Sequence, residues 1–522
     1  MGTRQADGVS DRNTPIGRRR FVGTALAAAA GAAMPIGRLW ANAASPAAAA
    51  GPIAAVGLSG KAISLSQSDV KDLRASLRGQ LLLPPDEGYD GARRIWNGAF
   101  DRHPALIVRC AGAADVIQAV NFARSHEILT AVHSGGHSIS GQSTCEGGLM
   151  IDLSPLKGIR VDPLNRTAEA QAGVLLGEFD RESQSFGLAT TLGTASDTGI
   201  AGLTLGGGQG RLGRKFGLSC DNLRSVDIVT ADGKLLHASE QENADLFWAI
   251  RGGGGNFGIV TNFDYRLHPL GPQVFAGNRV FPYSQARGVI AALLDFMASA
   301  PDEMTISAAL TTDAPGVPPG RYIAFEVVYC GAIDAGQRLL APLSKLGKPL
   351  FDDIAAKSYI LAQQGLSGAS PPPLPPGLNV YVKSGFLRTY PANLTDELVR
   401  RFESAPPWVS EMGLGQLGGA MARVKPDATA YWNRLAQFDL LLEGIWTERS
   451  QDEQNVRTGR AFWSAFEPFT QGYYVNTEPS ADEQRLRATY GDNYPRLVQL
   501  KNKYDPMNLF RLNANIKPTV RS

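Results

Sequence analysis

The sequence predicts an α+β protein of two regions, and three observations carry that prediction. Residues 105–270 form a dense series of short β-like runs separated by glycine turns, with few helices among them. From about Pro272 to Gln471 longer helical patterns alternate with strands, as expected of an antiparallel sheet with helices covering one face. At 522 residues the chain exceeds one ordinary domain, and its 43% hydrophobic and 19% charged content is that of a globular protein.

The front of the chain reads "IGRRRFVGTALAAAAGAAMPIGRLWANAA". Arg18, Arg19 and Arg20 precede Phe21, an alanine-rich apolar run follows, and Ala41-Asn42-Ala43 offers a small-x-small cleavage site. These are the parts of a secretory signal peptide over residues 1–43, and the Arg-Arg-x-Phe order resembles a bacterial twin-arginine signal. The alternative, a short anchor helix, suits the run poorly because it is short and alanine-rich for spanning. The expectation is a periplasmic or secreted protein, handled by the twin-arginine export machinery and with no membrane span in the mature chain. That route carries folded proteins, often around a cofactor, so a cofactor is to be sought.

The whole chain has 51 Lys and Arg against 49 Asp and Glu, a net charge of +2. The first 43 residues hold six Arg and two Asp, so the remainder balances at −2 and offers no basic patch for nucleic acid. Cys110, Cys145, Cys220 and Cys330 are widely separated with no CxxC pair, which argues against zinc or iron–sulfur and for isolated buried thiols. An exported chain also permits a disulfide, whose partners the spacing leaves open.

In chain order, "ALIVRC" reads as a strand, "AADVIQAVNFARSHE" as an amphipathic helix, and "LTAVHSGGHS" as a strand entering a glycine loop. "SVDIVTADGKLLHAS" is a hairpin turning at Ala-Asp-Gly. "QARGVIAALLDFMASA" and "LTDELVRRFESA" are helices, while "RYIAFEVVYC" and "LAQFDLLLEGIW" are strands. "SPPPLPPG" from Ser370 reads as polyproline II or an exposed loop. The end, "LRATYGDNYPRLVQLKNKYDPMNLFRLNANIKP", reads as one helix, a Tyr-Asp-Pro stop and an extended tail.

Three glycine-rich segments stand out: "SGGHSISG" (134–141), "GTASDTGIAGLTLGGGQGRLG" (193–213) and "RGGGGNFGIV" (251–260). Glycine lets a ligand approach the backbone closely, and successive backbone N–H groups form concave sites suited to a pyrophosphate. Three such loops in one region imply a large anionic ligand that touches backbone in several places, a description a dinucleotide fits. Gly208-Gln-Gly210-Arg-Leu-Gly213 matches GxGxxG, but a polar run broken by Gly217 follows and Asp232 sits in a hairpin turn, so a Rossmann reading is poor.

"SGGHSISGQS", "GTASDTGIAGLTLGGGQGRLGRKFGLSCDNL", "IVTADGKLL", "DLFWAIRGGGGNFGIVTNF" and "KYDPMNLFRLNANIKP" together resemble the berberine bridge enzyme-like FAD-linked oxidoreductases of the vanillyl-alcohol oxidase flavoprotein fold. The resemblance covers residues 95–270 and 472–518 closely. It implies a lead-in over 44–94, a two-subdomain PCMH-type FAD-binding domain over 95–271, and a substrate-binding domain over 272–471. Residues 472–522 would be a berberine-bridge-type segment returning to the FAD domain. It also implies a covalent bond between His137 and the flavin 8α-methyl group. Ala195 stands where some members carry a second, cysteinyl link, so one covalent bond is expected; Cys220 is no substitute by spacing. Ser134, Gly135, Gly136, Ser138 and Gly141 would form the first pyrophosphate loop. Gly193, Thr194, Ser196, Thr198, Gly199 and Gly202 would line the flavin, and Gly254, Gly255, Gly258 and Val260 the adenosine side. Asn513 and Asn515 would return from the tail, with Asn513 equally readable as a turn cap, and His133 as structural or as a contact supporting the site residues from behind.

For chemistry, the resemblance places Tyr-x-Asn on the last strand of the substrate sheet, here Tyr474-Val-Asn476, making Tyr474 a candidate base or substrate clamp and Asn476 its companion. Tyr473 would face the other way. Counting from Arg434 to Trp446 puts the family's glutamate position at Leu442, with Glu443 beside it pointing to the other face, so Glu443 is a weak catalytic candidate. Thr198 stands where some members carry a valine that leaves room for oxygen; oxygen or another acceptor both remain open. The expected activity is FAD-dependent oxidation of a C–OH or C–N bond of a small molecule: a sugar, alcohol or amine. The alternatives are a flavin carrier without redox turnover and an aldonolactone-type oxidoreductase. No metal site is expected.

Overall fold

The computed structural model describes residues 51–364, 378–478 and 482–519. The signal-peptide reading of residues 1–43 and the proline-rich stretch from Ser370 lie outside the described residues. Gly51–Ser522 forms one unit in which α+β architecture is plain.

The glycine-rich half holds two sheets. In the first, Leu106–Arg109 and Thr130–His133 both run parallel to the central strand Leu149–Asp152, and Gln80–Leu82 adds an antiparallel edge. The helix Ala113–Ser125 links the two parallel strands, as parallel pairing requires a crossover. It buries Val116, Ala119, Val120 and Ala123, spaced three and four apart on one face. The second sheet is antiparallel throughout, in the order Leu235–Ser239, Leu223–Val229, Ile259–Arg266, Thr167–Gln171, Ile159–Asp162. The hairpin expected at Ala-Asp-Gly is its outer pair, with Gly233 at φ +81 in the turn.

The second half is an eight-stranded antiparallel sheet. Its main order is Phe351–Asp352, Gln273–Pro282, Tyr322–Tyr329, Met304–Thr311, Val409–Gln416, Phe438–Trp446, Asn379–Leu387. Period-two alternation sorts its side chains. Met304, Ile306, Ala308 and Leu310 join Phe438, Leu440 and Leu442 in a core closed by the helices Ala286–Ser299 and Leu394–Glu403. The intervening residues Thr305, Ser307, Asp439, Leu441 and Glu443 face the glycine-rich half across a cavity.

The chain end departs from the single helix that the sequence suggests. Glu483–Tyr490 and Tyr494–Tyr504 are separate helices, broken at Gly491, whose φ of +47 disfavours any other residue. A Cβ at Gly491 would also lie 2.3 Å from Trp432 Nε1. Lys501 then locks the tail. Its ammonium group, with no exposed side-chain surface, donates to Asp505 (2.7 Å), Asn256 O (2.8 Å) and Phe510 O (2.9 Å). Asp505 also accepts from Leu509 N and Phe510 N. Asn256 completes the join, donating to Ala514 O and accepting from Ile516 N.

Removing one partner of a fully buried ion pair leaves the other charge uncompensated. Lys501→Met is therefore expected to lower unfolding free energy by about 3–5 kcal/mol, measured by denaturant titration, and to weaken the hold on the segment carrying Asn513.

Candidate active site

Two loops meet backbone to backbone beneath the large sheet. The first follows the strand Thr130–His133. A Cβ on its Gly135 would lie 2.4 Å from Gly199 Cα, and one on Gly199 would lie 2.6 Å from Gly135 N. No side chain fits either position. The second loop is pinned to the start of the helix Leu176–Gln184, where Leu176 N donates to Thr198 O and Gly177 N to Ser196 O, both at 2.9 Å. Ser134 Oγ donates to Ala172 O, and Trp96 N to Gly136 O, so the first loop is held from both sides. Gly136, at φ +69, passes directly over the buried ring of His133.

This packing sets His137. Its ring stacks on Trp96, centroids 4.3 Å apart and planes inclined by 24°, and its Nε2 stands 3.6 Å from Asp197 Oδ1. Burial lowers the imidazole pKa below its ordinary value, opposed by the Asp197 charge, so the ring is neutral near pH 7 and keeps a free lone pair.

The cavity here measures about 540 Å³, within the range of small-molecule and cofactor sites. Ser134, Gly135, Gly136, His137 and Ser138 line it from the first loop, and Gly193, Thr194, Thr198, Gly199 and Gly202 from the second. Gly254, Gly255, Gly258 and Val260 line it from the third loop, and Asn513 from the tail. Three assigned residues do not reach it. Gly141 turns at φ +78 with the Phe100 ring 2.3 Å from a would-be Cβ, so it shapes the loop exit. Ser196 packs its side chain against Gly177 on the helix side. Asn515 lies beyond the lining, past Ala514. Asn513 both caps a turn, donating to Phe510 O, and turns a buried Oδ1 without a partner toward the site.

These surroundings fit a flavin dinucleotide. A Cβ at Gly202 or Gly255 would meet nothing within 4 Å, so the backbone there is bare toward the cavity. Gln142 Oε1, Ser143 Oγ and Asn513 Oδ1 are buried beside it with no hydrogen-bond partner. Buried polar atoms without partners cost about 1–3 kcal/mol each, a cost that a polar ligand along these loops removes.

Tyr474 and Asn476 line the opposite end, though not from a strand: after a lone bridge from Gln471 to Phe386, residues 474–477 form a turn closed by Thr477 N donating to Tyr474 O. Tyr473 points away, fully buried in the core of the glycine-rich half. The Tyr474 oxygen accepts from Gly208 N (3.2 Å), Gln209 N (3.2 Å) and Asn476 Nδ2 (2.8 Å). Burial raises its pKa to about 12, while the three donors act in the opposite sense and Asp439 adds to the rise.

The count that put Leu442 at the family's glutamate position is corrected by the strand's alternation: Leu442 is sealed in the sheet's core, and Glu443 is the one that lines the cavity. Glu443 Oε1 accepts from Ser410 Oγ at 3.1 Å and lies opposite Glu411 on the neighbouring strand. Burial first, then Glu443 and Glu326, raise the Glu411 pKa to about 8. Asp439 is raised to about 8 by burial, and its Oδ1 has no hydrogen-bond partner. Glu326 is bound by Arg211 through Nε (3.1 Å) and Nη2 (2.9 Å). Asp439 escaped the sequence reading, yet the alternation of Phe438-Asp-Leu-Leu-Leu-Glu443 places it beside Glu443 on one face. Trp96, Asp197 and Gln209 carried no such signal. Among the described residues no group of three or more His, Cys, Asp or Glu is arranged to hold a metal ion, and no helix is long and apolar enough to cross a membrane. All four cysteines are buried free thiols.

Comparison with known proteins agrees with this geometry. A family model described as FAD binding domain matches residues 104–239, and one described as berberine and berberine like matches 473–517. An FAD-linked oxidoreductase of Dictyostelium discoideum is 30% identical over 455 residues, 86% of this chain and 97% of that protein. (R)-6-hydroxynicotine oxidase of Paenarthrobacter nicotinovorans is 30% identical over 459 residues, 85% of this chain and 97% of the enzyme. Among solved structures, 6-hydroxy-D-nicotine oxidase from Arthrobacter nicotinovorans superposes with a TM-score of 0.76 at 28% identity, covering 85% of this chain and 98% of that one. Xylooligosaccharide oxidase from Myceliophthora thermophila shares the fold, with a TM-score of 0.76 at 24% identity, covering 87% and 100%.

Gly135→Ala forces the two loops apart at a contact with no room for a methyl group. The expected cost of about 1–3 kcal/mol falls on the assembled loop pair, so purified protein should carry markedly less flavin per chain, read from the ratio of visible to ultraviolet absorbance.

Proposed function

The chain belongs to the berberine bridge enzyme-like FAD-linked oxidoreductases, and on that premise we propose that it oxidises a C–OH or C–N bond of a small molecule with FAD fixed covalently through His137 alone. The observation that carries the reading is one cavity that brings three bare glycine loops, a neutral buried imidazole and the Tyr474–Asn476 pair together. A bound flavin would supply the two-electron acceptor for this oxidation. The residues supply the rest.

In its ionised form, a minor fraction near pH 7 because burial raises the pKa to about 12, Tyr474 receives the heteroatom proton. Three N–H groups aimed at its oxygen match a phenolate better than a phenol, which has fewer lone pairs to offer and a hydrogen to place. Asn476 is held for this purpose by its second donation, to Leu203 O, and sits where any side chain on Gly206 would be. Asp439, Leu441 and Glu443 form the wall facing the substrate. Of the two bond types, that wall favours C–N: it presents acidic side chains, while the cation at its edge, Arg211, is committed to Glu326. A basic amine would pair with the Asp439 carboxyl, which burial keeps largely protonated near pH 7 and whose Oδ1 has no hydrogen-bond partner. The name of the 6-hydroxynicotine relative supports the same preference.

We further propose export through the twin-arginine route to the periplasm or exterior, supported by Arg18 to Phe21 and the Ala41-Asn42-Ala43 site. The electron acceptor is oxygen or another oxidant reached from the Thr198 side, and a single histidyl link is supported by Ala195 in the cavity wall.

Four measurements test this. Yellow colour should stay with acid-precipitated wild-type protein and leave that of His137→Ala. Tyr474→Phe should lower kcat/KM by about 10²–10⁴-fold. The wild-type kcat/KM should rise with pH from 7 to 10, because the ionised fraction of a phenol whose pKa is raised to about 12 grows throughout that range, and the rise should be absent from Tyr474→Phe. In anaerobic bleaching, aliphatic and heterocyclic amines should reduce the flavin faster than sugars or primary alcohols; bleaching by sugars alone would reject the C–N preference, and bleaching by nothing would favour a carrier without turnover.

A further inference from the structure

We infer that Asp197 is the positioning residue that makes His137 an attachment point, holding its proton on Nε2 and taking up the charge that the ring gains as the flavin bond forms. The inference rests on the covalent reading of His137 and goes beyond it. Asp197 sits in the short turn 195–198, closed by Thr198 N donating to Ala195 O. The bonds from Leu176 N and Gly177 N on either side fix that turn against the helix Leu176–Gln184. The Gly135–Gly199 contact then sets the turn against the histidine loop. Its Oδ1 is buried, makes no hydrogen bond, and lies 3.6 Å from His137 Nε2, the nearest basic atom to it. Burying a carboxylate oxygen without a partner is costly, so the position needs a reason, and the imidazole supplies it.

The chemistry follows from which nitrogen faces the acid. A carboxylate beside Nε2 draws the imidazole proton to that nitrogen and leaves the lone pair on Nδ1. Trp96, stacked on one face of the ring, fixes its plane. Overall, one C–H bond of the flavin 8α-methyl group breaks and one bond forms between that carbon and Nδ1. The imidazole becomes cationic as Nδ1 is alkylated and then releases its Nε2 proton, toward Asp197. The two electrons lost from the carbon pass to dioxygen, which leaves as hydrogen peroxide with the two protons released, one from the methyl group and one from the imidazole. Without a carboxylate, the transient positive ring forms in a buried site with nothing opposite it.

The test compares full-length wild type, Asp197→Asn, Asp197→Ala and Asp197→Glu, each purified and brought to the same FAD excess in air. Two quantities are followed: total FAD bound to native protein, and the covalent fraction, read as flavin fluorescence in a denaturing gel and as an intact-mass increase of one FAD. The expected result is unchanged native binding in all four. Covalent attachment should slow at least about tenfold in Asp197→Asn and Asp197→Ala and be restored in Asp197→Glu. NMR of the flavin peptide from wild type should show attachment at Nδ1. Equal attachment rates in Asp197→Asn and wild type would overturn the inference while leaving His137 as the link. Loss of native FAD binding in the Asn variant would assign Asp197 to cofactor binding instead. A wild type with no covalent flavin would overturn the His137 reading, and the inference with it.

Discussion

Two residues without side chains, Gly135 and Gly199, carry the contact on which the site depends. Their backbones approach so closely that a methyl group on either would sit within 2.4 to 2.6 Å of the other's main chain. Through that contact the loop after Thr130–His133 and the loop before Ile200–Leu205 become one surface. His137 is set against Asp197 as a consequence, and both loops turn bare backbone toward the same cavity. Glycine costs more chain entropy on folding than any other residue. The local stability needed to hold these loops comes from around them: the Ser134 and Trp96 hydrogen bonds, the buried His133 ring under Gly136, and the Leu176 and Gly177 amides.

The large sheet answers from the other side with a different device. Period-two alternation gives each central strand one face of core side chains and one of cavity side chains, so a single strand supplies both Leu442 and Glu443. The polar face keeps carboxylates where burial raises their pKa values to about 8, at Glu411 and Asp439. Of the two, Asp439 lines the cavity, where a strongly shifted buried acid marks a candidate functional position. Tyr474 occupies the seam, fed by amides of the glycine-rich half and by Asn476 from its own turn. The tail closes the arrangement through Lys501, Asp505 and Asn256, a fully buried polar knot linking the final helix, the third glycine loop and the returning chain.

Legibility in the sequence followed how local the cause was. The strands, the hairpin at Ala-Asp-Gly and the helices Ala113–Ser125 and Ala286–Ser299 are written in short-range periodicity, and the fold class follows from them. The glycine loops are equally visible, because clustered glycine has few other uses. Errors arose where tertiary neighbours decide. Gly491 splits the final helix because Trp432, 59 positions earlier in the chain, occupies its space. Residues 474–477 form a turn because Ser384 Oγ and the amides of Gly208 and Gln209 fix Tyr474 from distant segments. Counting along Phe438–Trp446 from Arg434 misassigned the cavity position by one residue, since an intervening non-strand segment carries no period.

What the sequence by itself determined is the class of ligand: glycine clusters expose backbone, and exposed backbone in three places suits a dinucleotide. It also determined which strands alternate, and so which side chains share a face. Only the tertiary structure decided which loops touch, because a contact between Gly135 and Gly199 leaves no trace in either segment read alone. The pairing of Asp197 with His137, the stacking of Trp96, the Gly208 and Gln209 amides donating to Tyr474 and the apposition of Glu411 to Glu443 all join residues separated in the chain. Their distances are set by packing, which acts through space and has no period along the sequence.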